Sequence, residues 1–199
     1  MRASINKSVR GLTPWALALI AVVLTLNPAV ARQPEKAAII EPQVNAAQEA
    51  WCKGLLKIGE VYRQKGDYKK VASQFIDDLY DYKEGRVFFK PTLTFGEHTF
   101  RPTKEGALSY FVKGIVPTDD GFAIKTHWVK ATYDNRAGGP GHSGIQIHGN
   151  IAITMGNVYL TDDKGGVTTV DKTFVFRKGS DGKLRLIVHH SSLPYQPGK

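Results

Sequence analysis

The chain has 199 residues, of which 42% are hydrophobic, 23% are charged and 10% are aromatic. This length accommodates one domain with a substantial core and a short accessory segment, and it excludes two large domains. The composition excludes an intrinsically disordered chain and a fibrous repeat. The formal net charge of +9 overstates the basic character of the folded part, because three basic residues lie close to the N-terminus.

The first 31 residues have the pattern of a secretory signal peptide. The three basic residues precede an uninterrupted apolar run over residues 15–26. This run is shorter than the roughly 20 apolar residues that a transmembrane helix requires. Asn27-Pro28 breaks any helix, and the small residues of Ala29-Val30-Ala31 follow. We predict cleavage after Ala31, which places the mature chain in the periplasm or outside the cell; an uncleaved membrane anchor is the alternative.

The mature chain is only mildly basic. Its 24 basic and 18 acidic side chains give a net charge of +6, and the two kinds are intermixed. Nucleic-acid binding is not predicted, because no basic stripe with interleaved aromatic residues is present. Stable membrane insertion of the mature chain is not predicted either. Cys52 is the single cysteine, which excludes an intramolecular disulfide, and its place in a helical pattern favours a buried structural thiol over a nucleophile.

The mature chain begins with a short tether and two helices. Residues 32–42 contain a proline near each end and are predicted to be the tether, and residues 43–196 are predicted to form a single domain. Apolar residues recur at steps of three and four from Val44 to Tyr62, which predicts a long first helix. Asp67 is the predicted N-cap of a second helix with the same spacing, which ends by Gly85.

After the second helix the pattern becomes mostly β. Residues 86–90 are typical of a strand, and Thr103 is the predicted cap of a short third helix that ends near Phe111. Four β-rich stretches follow, over residues 122–133, 143–160, 167–178 and 184–193. The order α-α-β-α-β-β-β-β predicts an α+β fold in which a strongly curved antiparallel sheet packs on the helices as a cone. Such a sheet leaves a pocket at its open end.

The polar residues that stand out lie at the end of the last stretch, in the run His189-His190-Ser191-Ser192. Alternate residues of a strand share a face, so His189 accompanies Ser191 and His190 accompanies Ser192. The apolar phase of residues 184–188 favours His190 and Ser192 inside the cone, whereas a β-bulge would exchange the two pairs. The competing interpretation is a buried histidine whose hydrogen bonds are satisfied by the protein.

Other polar residues are weaker candidates. The remaining histidines have no metal-ligand spacing, which leaves zinc possible but unsupported; they are His98, His127, His142 and His148. Three acidic pairs are explained better by solvation or capping than by acid–base chemistry; they are Asp77-Asp78, Asp119-Asp120 and Asp162-Asp163. Asp171 is the nearest carboxylate to an inward strand position. The glycine-rich loop at residues 138–141 is interpreted as a flexible connection.

Several segments together resemble the iota-class carbonic anhydrases. They are residues 89–92, 100–112 and 155–157 and, above all, the terminal run His189-His-Ser-Ser-Leu-Pro194. The resemblance covers roughly residues 51–195. It implies the nuclear transport factor 2-like cone fold, in agreement with the element order above, and a homodimer that associates through the sheet.

The resemblance also implies an activity and a site. The activity is the reversible hydration of carbon dioxide to bicarbonate and a proton, in a pocket of hydroxyl groups with one imidazole. The motif positions correspond here to Thr92, Tyr110 and one His/Ser pair of residues 189–192. The resemblance leaves the cofactor open between none and a divalent metal, zinc or manganese.

We expect the hydroxyls of Thr92, Tyr110 and one serine to hold the water and the bicarbonate oxygens, while His190 or His189 accepts the proton. The predicted apolar wall consists of Phe88, Phe89, Leu93 and Phe111. A different enzyme on the same fold is one alternative, since fold does not determine function. A non-catalytic module that binds a small ligand or forms oligomers is the other.

Overall fold

The computed structural model of the chain describes residues 38–135 and 144–198. The predicted signal peptide, most of the predicted tether and the glycine-rich loop with His142 lie outside the described residues. The described residues belong to one compact unit. Within the described residues, the helices are too short or too polar to cross a membrane.

The described residues contain four α-helices: α1 (Glu41–Arg63), α2 (Tyr68–Leu79), α3 (Lys104–Val112) and α4 (Phe122–Lys125). Both predicted N-caps are confirmed. The Asp67 carboxylate accepts a hydrogen bond from the backbone N–H of Lys70 (3.0 Å), and the Thr103 hydroxyl accepts one from the backbone N–H of Gly106 (3.2 Å). Because α1 begins at Glu41, the last two residues of the predicted tether belong to this helix.

The second helix ends earlier than predicted, at Leu79 instead of near Gly85. The chain leaves the helix because its next residues attach to the sheet. Tyr80 forms a parallel bridge with Leu186, and the backbone N–H of Asp81 donates to the carbonyl oxygen of Leu186 (3.0 Å). This early end turns the Tyr80 side chain away from the helix face and into the core, where it is fully buried.

The sheet has six strands: β1 (Phe88–Lys90), β2 (Trp128–Asp134), β3 (Ile145–His148), β4 (Ile151–Asp162), β5 (Val167–Lys178) and β6 (Leu184–Ser192). Their order is β1-β6-β5-β4-β2, with β3 also paired to β4. Strands β2 to β6 pair antiparallel, as predicted, but β1 pairs parallel to β6. The direction of β1 differs because no hairpin joins it to its partner, which lies far along the chain.

Two of the predicted β stretches differ in detail. Residues 122–125 form the short helix α4 instead of the start of a strand, and the indole N–H of Trp128 donates to the carbonyl oxygen of Phe122 (3.1 Å) to hold the turn between them. The stretch predicted over residues 143–160 is two strands, β3 and β4, which are separated by a turn. Gly149 occupies this turn with a φ of +60°, a conformation that glycine adopts without strain.

The hydrophobic core lies between the helices and the inner face of the sheet. Trp51 and Leu55 of α1 and Phe174 and Phe176 of β5 are among its largest fully buried side chains. The Trp51 and Phe174 rings meet edge to face, with centroids 5.7 Å apart. Cys52 is also buried in this core, which confirms the prediction of a structural position for it. Polar side chains on the inner sheet face therefore enter an aromatic environment.

Candidate active site

A β-bulge determines which half of the polar run enters the core. Strand β6 pairs with β5 at Leu186 and at Val188 opposite two adjacent β5 residues, so Ile187 has no partner. The bulge exchanges the faces of all later residues. His189 and Ser191 therefore lie inside, 1% and 0% exposed. The preferred phase, with His190 and Ser192 inside, is wrong for this reason.

His190 and Ser192 lie on the opposite face of the sheet. His190 is exposed and Ser192 is half-buried. Both line a shallow cleft of about 420 Å³ with Met155 and Asp171. The Asp171 carboxylate accepts a hydrogen bond from the side chain of Asn157 (2.8 Å), so it is a partner of the outer face and not of the core. The structure thus separates the two His/Ser pairs by the thickness of the sheet.

Five buried side chains form a hydrogen-bonded group, here called the buried polar cluster: Trp51, Tyr80, Lys172, His189 and Ser191. The Trp51 indole N–H donates to the Tyr80 hydroxyl (2.9 Å), which in turn lies 2.9 Å from His189 Nδ1. His189 Nε2 lies 2.9 Å from both Lys172 Nζ and Ser191 Oγ. Lys172 Nζ lies 2.6 Å from Ser191 Oγ. The last three atoms therefore form a triangle of hydrogen-bond distances.

Three members of the cluster were missed in the sequence. Lys172 carries the clearest signal, because it occupies the inward phase of β5 between Val170 and Phe174. Burial of a lysine on the inner face of a central strand costs free energy unless hydrogen bonds or an opposite charge compensate it, so a lysine at such a position indicates a specific role. Trp51 belongs to the apolar stripe of α1, and this spacing predicts packing in the core but not the hydrogen bond to Tyr80. Tyr80 lies beyond the end of α2 and could not be located from helical spacing.

Burial dominates the electrostatics of the cluster. It lowers the pKa of the Lys172 ammonium to about 7, with a further lowering by the nearby Lys90 cation. Burial also lowers the pKa of His189 well below its usual value, and the Lys172 charge acts in the same direction. The pKa of the Cys52 thiol is raised to about 11 by burial. Near neutral pH, His189 is therefore neutral and Lys172 is close to its titration midpoint.

Thr92 and Tyr110 line a second polar site, which is a cleft of about 410 Å³ beside α3 and α4. Both residues are nearly buried, at 9% and 5% exposed. Burial raises the pKa of the Tyr110 phenol, and the nearby Thr92 hydroxyl offsets part of this rise. Yet neither hydroxyl has a well-formed hydrogen bond to a partner among the described residues. Buried polar atoms without partners are rare in native proteins, so these two hydroxyls indicate a place for a ligand.

Phe89 joins the cleft to the buried polar cluster. Its ring stacks on His189, with centroids 4.4 Å apart, and meets the Tyr110 ring edge to face at 5.8 Å. The parallel pairing of β1 with β6 sets Lys90 opposite His190, so Thr92 and Ser191 follow at the same end of the two strands. The Lys90 ammonium also donates to the carbonyl oxygen of Ser191 (2.9 Å).

The predicted apolar wall is partly correct. Phe89 and Phe111 are fully buried beside the cleft residues, and their rings stack on each other with centroids 5.9 Å apart. Leu93 lines the cleft. Phe88 is 72% exposed and does not belong to the wall, because it lies on the opposite face of β1 from Phe89.

One acidic pair also differs from its prediction. Asp119 is not a solvated turn residue but accepts a hydrogen bond from the buried Arg101 guanidinium (2.7 Å), and both side chains are 2% exposed. The backbone N–H of Arg101 donates to the carbonyl oxygen of Phe89 (2.8 Å). This ion pair ties the loop that contains Thr118 and Asp120, which line the cleft, to strand β1. Asp162 caps a turn as predicted, with hydrogen bonds from two backbone N–H groups.

Potential metal ligands do not gather in the part of the chain that the structure describes: no three side chains of His, Cys, Asp or Glu converge there. His127 instead lies beside the Asp163 carboxylate (2.8 Å) at the surface. The hydroxyls of Thr92 and Tyr110 can hold a water molecule or an oxyanion. The Asp120 carboxylate, which also lines the cleft, is paired with the Lys125 ammonium (2.6 Å).

The fold and the cleft define an α+β protein whose pocket is lined by hydroxyls and aromatic rings. Residues 42–193 match the family described as metal-independent carbonic anhydrase. A relative with that same description, from Nostoc sp. (strain PCC 7120 / SAG 25.82 / UTEX 2576), is 49% identical over 163 residues, which cover 80% of this chain and 76% of the relative. The chain belongs to the metal-independent carbonic anhydrase family, and the resemblance seen in the sequence is confirmed.

A solved structure of a relative agrees with this assignment. The crystal structure of the iota-carbonic anhydrase from a cyanobacterium, complexed with bicarbonate, matches with a TM-score of 0.74 and 49% identity; the match covers 80% of this chain and 94% of that one. A nuclear transport factor 2-like protein from Salmonella enterica matches with a TM-score of 0.47 and 14% identity, over 79% of this chain and 92% of that one.

Proposed function

We propose that this chain catalyses the reversible hydration of carbon dioxide to bicarbonate and a proton in the Thr92–Tyr110 cleft. The observation that carries the proposal is the pair of neighbouring buried hydroxyls, neither of which has a well-formed hydrogen bond to a described residue. Each hydroxyl can donate one hydrogen bond and accept others, as a bound water or bicarbonate oxygen requires. Family membership supports the same reaction, and the family description supports chemistry without a metal.

The reaction requires a nucleophilic water beside a small apolar slot. Bulk water, with a pKa near 15.7, is a poor nucleophile at neutral pH, so a nearby group has to take its proton. The Thr92 and Tyr110 hydroxyls orient the water and donate to the oxygen on which negative charge develops. Leu93 and Phe122, which line the cleft, supply the apolar surface for carbon dioxide, and the Phe122 ring stacks on Tyr110 with centroids 5.4 Å apart.

Of the two histidines predicted for the site, His189 is the one on the inner face of the sheet. It lies against Phe89 and is hydrogen-bonded to Ser191, whereas His190 faces the other side of the sheet. Ser191 is likewise the serine that faces the cluster. The proposed site therefore consists of Thr92, Tyr110, His189 and Ser191.

Oxygen-isotope exchange tests the proposal directly. Membrane-inlet mass spectrometry follows the loss of ¹⁸O from labelled bicarbonate, which occurs only if carbon dioxide and bicarbonate interconvert. We expect exchange well above the uncatalysed rate with the wild-type protein and exchange at the uncatalysed rate with the double variant Thr92→Val/Tyr110→Phe. Tyr62→Phe, which removes a hydroxyl from a surface tyrosine of α1, is the matched control and keeps the wild-type rate.

A non-catalytic ligand-binding module is the second candidate. One observation favours it: His189 and Ser191 are buried and already hydrogen-bonded within the protein. Such a module binds bicarbonate in the cleft without any exchange of ¹⁸O. Bicarbonate-dependent shifts of the Tyr110 ring resonances in the absence of isotope exchange would establish the module and overturn the enzyme.

We also propose that the chain is exported and forms a homodimer through the outer face of the sheet. The signal-peptide pattern of residues 1–31 supports export. Apolar side chains on the outer face support the dimer, since Ile153 and Met155 of β4 are 38% and 58% exposed. N-terminal sequencing that begins at Arg32 and a dimer mass by light scattering are the expected results; a start at Met1 or a monomer mass would contradict them.

A further inference from the structure

We propose that Lys172 receives the proton that leaves the attacking water, acting through the hydroxyl of Ser191, and that His189 holds these two groups in place without being the base. This inference rests on the proposed carbonic anhydrase function. Lys172 contacts no substrate in this scheme, so it is a positioning and proton-accepting residue behind Ser191. The directions of the hydrogen bonds in the buried polar cluster support this role.

The hydrogen bonds of Tyr80 determine the tautomer of His189. The Trp51 N–H can only donate, so the Tyr80 oxygen accepts from it. The Tyr80 hydroxyl hydrogen then needs an acceptor, and among the described residues His189 Nδ1 is the one within reach. Nδ1 is thus an acceptor, and a neutral His189 carries its hydrogen on Nε2. The free ring lone pair of this tautomer is on Nδ1, where it already accepts the hydrogen bond from Tyr80, so His189 is a poor general base.

The donor and acceptor roles in the triangle of His189 Nε2, Lys172 Nζ and Ser191 Oγ are limited in the same way. If Nε2 carries hydrogen, it donates toward Lys172 or toward Ser191. An ammonium on Lys172 has three hydrogens and no lone pair, so it can accept from neither neighbour. A neutral amine can accept from Nε2 or from the Ser191 hydroxyl and still donate to the other. Lys172 Nζ can donate to Ser191 Oγ (2.6 Å) in either protonation state, but only the neutral amine has a lone pair that can accept a hydrogen from Nε2 or from the Ser191 hydroxyl.

The surroundings of Lys172 allow both of its protonation states. Among the residues that the structure describes, no carboxylate lies within ion-pair distance of its Nζ, and burial lowers its pKa to about 7. The Trp51 ring, 4.5 Å from Nζ, offers the ammonium a cation–π contact. The titratable groups that face Lys172 from the neighbouring elements are Cys52 on α1, Tyr80 after α2, Lys90 on β1, Tyr133 on β2, and His189 and His190 on β6. None of them is an anion at neutral pH, so none fixes the positive charge.

The proposed step balances. The water oxygen forms a bond to the carbon of carbon dioxide, and the electron pair of one C=O π bond moves to the oxygen that becomes the anionic oxygen of bicarbonate. The water proton passes to Ser191 Oγ while the hydroxyl proton of Ser191 passes to the lone pair of Lys172 Nζ. The products are bicarbonate and the Lys172 ammonium, which returns its proton to a buffer base in solution before the next turnover.

The pH profile of two variants tests the role of Lys172. Lys172→Met keeps the length of the side chain without a base, and Lys172→Arg keeps a charge that does not titrate. For the wild type we expect kcat/KM of hydration to rise about tenfold per pH unit below about pH 7 and to level above it. Both variants should lose about 10²-fold in kcat and lose this inflection. Lys130→Met, on an exposed lysine of β2, is the matched control and keeps the wild-type profile.

A titration of the wild-type protein removes any dependence on the folding of the variants. The ¹³Cε chemical shift of Lys172, followed by NMR, should change between pH 6 and 8, with a midpoint at a pKa of about 7. A Lys172 resonance that stays that of an ammonium above pH 9 would overturn the inference, as would full activity in Lys172→Arg. Absence of hydration by the wild type at every pH would instead overturn the proposed function, so the two failures are distinguishable.

Discussion

The ring of Phe89 stacks on the imidazole of His189, with centroids 4.4 Å apart and planes inclined by 19°. This contact follows from the parallel register of β1 and β6, which sets the two residues opposite each other. Phe89 therefore contacts both Tyr110 of the cleft and His189 of the buried polar cluster. Both the cleft and the cluster depend on a strand of three residues, and each prediction below tests one part of this arrangement.

The Tyr110 hydroxyl should matter for rate and not for stability. In Tyr110→Phe, no hydrogen bond to the described residues is lost, so the free energy of unfolding should stay within about 0.5 kcal/mol of wild type. Hydration should fall by about 10²-fold in kcat, as for the removal of one donor to a developing oxyanion. Urea unfolding and stopped-flow hydration measure the two quantities. A rate within threefold of wild type would exclude this hydroxyl from the site.

The strand phase predicts opposite results for adjacent residues. Ser191→Ala, on the inner face, should lower hydration strongly, whereas Ser192→Ala, on the outer face, should leave it within about threefold. The same contrast is expected between His189→Ala and His190→Ala. Steady-state kinetics on the four variants measure it. Loss of activity in the His190 and Ser192 variants alone would show that the bulge at Ile187 does not exist in solution.

Tyr80 should contribute to stability through its place in the middle of a buried chain of hydrogen bonds. Tyr80→Phe leaves the Trp51 N–H and His189 Nδ1 without their partner. Buried groups that lose a hydrogen-bond partner cost about 1–3 kcal/mol, so the midpoint of urea unfolding should fall by a corresponding amount. An unchanged midpoint would mean that water replaces the hydroxyl in this chain.

Removal of only one member of the Arg101–Asp119 ion pair should strongly destabilise the fold. Asp119→Asn leaves a fully buried guanidinium without a counter-charge, at an expected cost of about 3–5 kcal/mol. The double variant Arg101→Met/Asp119→Leu should recover much of this loss, because it leaves no buried charge. Chemical denaturation of the single and double variants gives the coupling energy. Additive losses would contradict a direct interaction between the two side chains.

Stability should also depend on pH through Lys172. Its folded pKa of about 7 lies below the unfolded value near 10.4, so between these values the unfolded chain binds more protons than the folded one. Stability then rises with pH, by about 2 kcal/mol from pH 7 to pH 9. Above pH 9 the raised pKa of Cys52 opposes this rise, because its thiol ionises first in the unfolded chain. In Lys172→Met the rise between pH 7 and 9 should disappear.

Local rules in the sequence predicted helices α1 to α3 and most strands, but not the short helix α4. Asp67 and Thr103 follow directly from the capping preferences of their side chains, and the bounds of β5 agree with the prediction at both ends. Thr92 and Tyr110 were predicted through the family resemblance, and the structure brings them together in one cleft. These features depend on residues that are close in the chain or on a distinctive motif.

The features that could not be predicted depend on contacts between distant residues. The bulge at Ile187 lies among consecutive apolar residues, so the sequence pattern does not show where the alternation of faces changes. The face on which His189 lies could therefore not be predicted. The direction of β1 depends on its pairing with β6 and not on its own sequence. Tyr80 reaches His189 only because α2 stops to let the chain join the sheet. The buried polar cluster combines three such effects.

Stopped-flow hydration of carbon dioxide by the purified protein, before and after exhaustive chelation of divalent metals, tests the central claim most directly. We expect the same kcat in both preparations and no gain on the addition of zinc or manganese, because the hydroxyls of Thr92 and Tyr110 and the buried polar cluster supply the chemistry. Hydration that disappears on chelation and returns with zinc or manganese would contradict this mechanism.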